Sequence, residues 1–224
     1  MSVKVKICGI TNLEDALAAA DAGADYLGFI FFPPSKRFVE PQAVRDIVRE
    51  LRQRPESPLL VGVFVDETAA FMMQVLDDCD LDLAQLSGQE VPWLVGDKAS
   101  PLYGRAYKGI QPASRTEAEV EAEWYAVPDR ADHLPSLLLD SYHPTLRGGT
   151  GETGDWEISA KLAKVYPGFM LAGGLTPDNV AEAVQQVRPF AVDVASGVEA
   201  QPGKKDYARV STFIANAKAV GLND

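Results

Sequence analysis

Eight short runs of apolar and β-branched residues punctuate the chain: VKVKIC (3–8), ADYLGFIF (24–31), LLVGVFV (59–65), LDLAQL (81–86), LYGRAYKGI (102–110), LPSLLLD (134–140), GFMLAG (168–173) and AVDVAS (191–196). Their starts lie 21 to 35 residues apart. Runs of this length, bounded by turn residues, predict buried strands. Helix-like stretches separate them. NLEDALAAADAG opens on the capping residue Asn12 and stops at Gly23, EPQAVRDIVRELRQR carries Pro41 near its start, and TPDNVAEAVQQV opens on Thr176 followed by Pro177. Strand and helix alternating on this scale predict parallel strands joined by helical crossovers. Eight such units in 224 residues fit a single (β/α)8 TIM barrel over residues 1–224, near the lower end of that fold's size. An open, doubly wound sheet is the alternative arrangement of the same units.

Alternation within the runs assigns faces. In VKVKIC, Val3, Val5 and Ile7 share one side while Lys4, Lys6 and Cys8 share the other, because successive side chains point oppositely. The outer face of a barrel strand packs on helices and is expected to be apolar, so Lys6 and Cys8 are expected inside. The same logic turns Asp193 inward in AVDVAS and places Asp140 at the end of LLLD. Cys8 and Asp140 thus finish two strands at the carboxyl end, where barrel active sites lie. A lysine inside a barrel needs a partner, and Lys6 is expected to pair with Asp193. Cys79, in DDCDLD, has no comparable setting and reads as a small buried side chain.

Composition narrows the chemistry. The formal net charge of −11 makes non-specific binding to nucleic acid or to an anionic membrane unfavourable. An anionic ligand would have to be held by local backbone dipoles and a few placed cations. No run of about 18 apolar residues is present, so no membrane span is expected. Two cysteines 71 residues apart form neither a disulfide framework nor a zinc spacing, which suits a reducing, cytoplasmic setting. With only His133 and His143, a Ser-His-Asp arrangement is hard to build, and His143 reads as a surface or lid residue. No exposed apolar stripe stands out, and the chain is expected to be a monomer.

Glycine-rich stretches follow the last three strands: RGGTGETGDW (147–156), AGGLTPDNV (172–180) and ASGVEAQPGKKD (195–206). Glycine allows close backbone approach, so N–H groups can surround an anion. In barrels the loops after strands 7 and 8 often form a phosphate site, and Gly173, Gly174, Ser196 and Gly197 are placed for one. Arg37, in PPSKRF after strand 2, sits in a proline-stiffened loop suited to holding a carboxylate.

With these motifs in order along the chain, the sequence resembles the phosphoribosylanthranilate isomerases of tryptophan biosynthesis. The resemblance is carried by KICGIT (6–11), GFIFFPPSKR (28–37), VGVFV (61–65), LLLD (137–140), GGTGETGDW (148–156), LAGGLTPDNV (171–180) and VDVASGVEAQPGKKD (192–206). It implies a barrel that uses no cofactor and no metal. It also implies an Amadori rearrangement of a small phosphorylated substrate, N-(5'-phosphoribosyl)anthranilate, to 1-(o-carboxyphenylamino)-1-deoxyribulose 5-phosphate. By resemblance Cys8 is the general base and Asp140 the general acid, with Arg37 near the anthranilate carboxylate. Gly151, Gly173, Gly174, Asp193, Ser196 and Gly197 complete the expected substrate-binding set. One position departs from the family pattern: QLSG places Ser87 where a histidine is usual. A free cysteine is mostly thiol at neutral pH, and neighbouring cations, Lys6 among them, are expected to raise the thiolate fraction of Cys8. Other phosphate-binding barrels fit less well. An indole-glycerol-phosphate synthase would need a lysine and paired glutamates at strand ends, the histidine-pathway isomerase has aspartate at the cysteine position, and an epimerase needs metal-binding histidines. A phosphate-ligand sensor without turnover is the non-enzymatic alternative.

Overall fold

The computed structural model describes residues 2–127, 131–132, 134–140 and 156–221. Eight parallel strands close into a barrel in sequence order: β1 (Lys4–Cys8), β2 (Tyr26–Ile30), β3 (Leu59–Phe64), β4 (Leu83–Leu86), β5 (Ala106–Ile110), β6 (Leu137–Asp140), β7 (Phe169–Ala172) and β8 (Ala191–Val194). Each lies within one of the predicted runs. Pairing of β8 with β1, from Lys4 opposite Ala191 to Ile7 opposite Val194, closes the ring and excludes the open sheet.

Helices α1 (Leu13–Asp21), α2 (Pro41–Leu51), α3 (Ala69–Asp78), α4 (Trp93–Gly96), α5 (Arg115–Tyr125), α6 (Trp156–Val165), α7 (Val180–Val187) and α8 (Tyr207–Ala219) surround it. Local chemistry sets several starts. Asn12, Thr68, Ser114 and Asp206 each accept a hydrogen bond from the backbone N–H three residues on, which satisfies an orphan donor of the first turn. Helix α7 begins later than Thr176 and Pro177 suggest. Asn179 Oδ1 accepts from the Thr176 N–H at 2.8 Å, and its Nδ2 donates to the Gly174 carbonyl at 3.0 Å. The segment is thereby held as a turn against the end of β7, and the helix starts after Asn179.

Two apolar clusters follow from strand alternation. The larger lies between sheet and helices and includes Val5, Ile7, Leu27, Phe29, Leu60, Leu86, Leu137, Leu171 and Val192. The smaller fills the barrel and includes Tyr26, Val61, Leu83, Tyr107, Leu138 and Met170. Burying a side chain of this size contributes about 1.5–3 kcal/mol. Lys108 breaks the expectation of an apolar outer face. It points outward from β5 yet is buried, and pairs with the buried Glu90 at 2.8 Å. Glu90 also accepts from the Asp66 and Gly88 N–H groups, so neither charge is left unsatisfied.

After β8 a 3-10 turn (Ser196–Val198) leads into a two-stranded hairpin, β9 (Glu199–Gln201) and β10 (Lys204–Lys205). This hairpin lies at the carboxyl end of the barrel. Lys205 Nζ donates to the Cys8 carbonyl at 2.7 Å and the Ala195 carbonyl at 3.0 Å, so it staples the ends of β1 and β8 together.

Candidate active site

Lys6 is fully buried inside the barrel, and its ammonium donates to Asp193 Oδ1 at 2.8 Å and Gln85 Oε1 at 3.0 Å. The expected Lys6–Asp193 pair is therefore present. Tyr107 OH donates to the same Gln85 oxygen at 2.9 Å, and Gln85 Nε2 donates to Ser87 Oγ at 3.1 Å. The Lys6 ammonium, which can only donate, thus fixes which way the Gln85 amide faces, and the Ser87 hydroxyl receives its Nε2–H. Burial disfavours the Lys6 charge, but Asp193, Cys8 and Tyr107 more than offset it, and the ammonium titrates above the ordinary lysine range. The same burial pushes the Tyr107 phenol upward, with Lys6 opposing.

Cys8 stands two residues beyond Lys6 on the same inward face. A Cβ placed on Gly28 would lie 2.8 Å from Cys8 Sγ and 3.2 Å from Lys6 Cε. Glycine at this position on β2 therefore leaves room for thiol and lysine side by side. Burial raises the Cys8 pKa, Lys6 and Lys205 oppose the rise, Asp193 adds to it, and the net shift is upward. The neighbouring cations thus act toward the thiolate, as expected, but desolvation outweighs them.

A cleft of about 240 Å³ opens beside this network at the ends of β6, β7 and β8. Asp140, Gly173, Gly174, Asp193, Ser196 and Gly197 all line it. Gly173 and Gly174 have φ of 93° and 66°, a left-handed pair that turns the chain out of β7. A Cβ on Gly197 would collide with the Leu175 carbonyl oxygen, so the two loops approach at backbone distance. Asp140 sits half-buried at the end of β6, opposite Ala172 of β7. Asp193 offers its Oδ1 to Lys6 while its side chain remains part of the cleft wall.

Cys8 and Arg37 are not among the cleft-lining residues. Arg37 lies against the β1 end, since a Cβ on Gly9 would come within 2.5 Å of its Cδ. Its Nε and Nη2 both donate to Glu199 at 2.7 Å. Glu199 also accepts from Lys205 Nζ at 3.2 Å. The bidentate bonds raise the Arg37 pKa. Burial works against the Glu199 charge, but Arg37 and Lys205 win and hold it below the ordinary carboxylate range. Glu199 and Lys205 were not legible as site residues, because Arg37 and the Cys8 carbonyl, which they meet, lie far away along the chain; a glutamate and a lysine in one glycine-bearing loop were the only signal. Gly151, His133 and His143 lie outside the described residues. Among the described residues, no group of three or more His, Cys, Asp or Glu side chains is arranged to hold a metal ion, and no helix is long and apolar enough to cross a membrane.

The family model described as N-(5'phosphoribosyl)anthranilate (PRA) isomerase matches residues 5–216. The N-(5'-phosphoribosyl)anthranilate isomerase of Geobacter sp. (strain M21) is 48% identical over 216 residues, covering 96% of this chain and 98% of that protein. The crystal structure of phosphoribosyl anthranilate isomerase from Thermotoga maritima is similar with a TM-score of 0.82 at 40% identity, covering 97% of this chain and 99% of that one. A phosphoribosyl anthranilate isomerase in complex with reduced 1-(o-carboxyphenylamino)-1-deoxyribulose 5-phosphate superposes with a TM-score of 0.80 at 38% identity, covering 97% and 99% of the two chains.

Proposed function

The chain belongs to the N-(5'-phosphoribosyl)anthranilate isomerase family, and from that premise we propose that it converts N-(5'-phosphoribosyl)anthranilate to 1-(o-carboxyphenylamino)-1-deoxyribulose 5-phosphate, with Asp140 as general acid and Cys8 as general base. The observation that carries this reading is the cleft at the carboxyl ends of β6–β8, which joins a half-buried carboxyl, Asp140, to a backbone-lined anion cradle.

The phosphate is read into the cradle of Gly173, Gly174, Ser196 and Gly197, where main-chain N–H groups meet it without the need for a basic side chain. That placement sets the sugar along the strand ends, towards Asp140 and Asp193. Asp140, protonated when it acts, gives its proton to the ring oxygen as the bond from that oxygen to the aminated carbon breaks. The ring opens to an iminium. Cys8, as thiolate, then takes the proton from the adjacent sugar carbon, and the electrons of that C–H bond form the enolamine. Tautomerisation delivers the aminoketose. Asp193, with one oxygen committed to Lys6, can accept a sugar hydroxyl on the other. Arg37 is assigned to the ring carboxylate. Because burial holds the Cys8 pKa high, the thiolate is a minor species at neutral pH and the rate is expected to climb with pH.

The test is fluorescence-monitored consumption of freshly made phosphoribosylanthranilate by the purified protein, without added metal or nucleotide. Turnover that is lost in both Cys8→Ser and Asp140→Asn supports the assignment. Tight binding of the reduced product analogue without turnover would instead indicate a phosphate-ligand sensor.

A further inference from the structure

Arg37 has five N–H donors in a rigid fork. Glu199 takes the edge formed by Nε and Nη2, both at 2.7 Å. Among the described residues no acceptor meets Nη1, and the side chain is 23% exposed, whereas that of Glu199 is 5% exposed. Glu199 is itself held from behind by Lys205 Nζ at 3.2 Å and the Gly203 N–H at 3.4 Å. Lys205 in turn is anchored on the carbonyls of Cys8 and Ala195. The arginine stem rests over Gly9, where a side chain would displace it. A rigid chain of contacts therefore runs from the β1 and β8 ends through Lys205 and Glu199 to one edge of the guanidinium.

We propose that Glu199 is a positioning residue for substrate: it grips one edge of Arg37 and thereby aims the Nη1 edge at the ring carboxylate. This inference rests on the assignment of Arg37 to that carboxylate. It makes a prediction opposite to simple electrostatics. Glu199 is a negative charge beside a site for a negative group, so charge alone predicts that removing it tightens carboxylate binding. Orientation predicts the reverse, because a guanidinium released from its bidentate partner samples many rotamers and loses the fixed geometry of a two-point contact.

The experiment measures the affinity of two ligands for the wild-type chain and for Glu199→Gln: reduced 1-(o-carboxyphenylamino)-1-deoxyribulose 5-phosphate, and the same compound lacking the ring carboxylate. Glutamine keeps the shape but turns an amide N–H toward the guanidinium. The carboxylated ligand is expected to bind about tenfold more weakly and the other to change by less than about twofold, as the loss of one well-oriented charged contact predicts. The KM for substrate should rise by a similar factor with little change in kcat, since the contact is the same in ground and transition states. Glu199→Asp, which keeps the charge but is too short to reach both nitrogens, should show the same selective loss and serves if the glutamine variant folds poorly. Tighter or unchanged binding of the carboxylated ligand in both variants, with Arg37→Ala still selectively weak, overturns the role of Glu199 and leaves that of Arg37 standing. Equal weakening of both ligands in the Glu199 variants means a purely structural role and also overturns it. If Arg37→Ala affects both ligands equally, the assignment of Arg37 itself fails.

Discussion

Replacing Lys6 with methionine tests the electrostatic centre of the barrel. The substitution keeps most of the side-chain volume and removes the ammonium. Lys6 is fully buried and the Asp193 side chain is 11% exposed, with 2.8 Å between the charges. At that distance Coulomb's law with an effective dielectric near 20 gives roughly 6 kcal/mol of attraction, from which desolvation of both ions subtracts. In the variant Asp193 keeps its desolvation penalty and loses the one counter-charge that meets it among the described residues. Gln85 Oε1 retains the Tyr107 hydroxyl, so the damage falls on the carboxylate. Breaking one side of such a pair typically costs about 3–5 kcal/mol. At roughly 2–4 °C per kcal/mol for a chain of this length, the melting temperature should fall by about 6–20 °C. Urea unfolding at neutral pH, where Lys6 is charged because its pKa is raised, measures the loss directly. The double variant Lys6→Met/Asp193→Leu removes both ions and should recover most of it. A single variant within about 1 kcal/mol of wild type, the value of an exposed pair, would refute the reasoning.

Cys8→Ser should lower kcat/KM by about 10²–10⁴, the usual contribution of a general base, while Cys79→Ser stays near wild type in the same assay. Because the Cys8 pKa is raised, the proton is bound at neutral pH, so wild-type kcat/KM should rise as pH enters and passes the ordinary thiol range; a profile already flat at neutral pH counts against Cys8 as the base. Gly197→Ala should raise KM by disturbing the contact with Leu175 and weaken competition by inorganic phosphate, and an unchanged KM would place the phosphate elsewhere. Glu199 has a lowered pKa, so its ionisation stabilises the fold above the ordinary carboxylate range and that contribution disappears as pH falls through its folded pKa. The stability gap between wild type and Glu199→Gln should therefore narrow on acidification, which denaturant titrations at a series of pH values would detect.

Much of this protein follows from local rules. Eight strands lie within eight apolar runs because a chain segment buried on both faces is apolar over most of its length, with charges admitted only where a partner meets them. Alternation alone turned Lys6, Cys8 and Asp193 inward, and the cost of burying a charge alone paired the lysine with the aspartate. The glycines after β7 and β8 marked the wall of the cleft because few other residues allow such backbone proximity. What alternation could not supply was any contact between residues far apart in the chain that lie off the strands' inner face. Lys108 on the outer face is buried only because Glu90 arrives from the loop after β4, and Glu199 reaches Arg37 only because barrel closure sets the β8 loop beside the β2 loop. The net ionisation of Cys8 belongs to the same class. Sequence places cations near it, but the balance between their pull and desolvation depends on how completely the closed barrel excludes water, and that is a property of the tertiary structure.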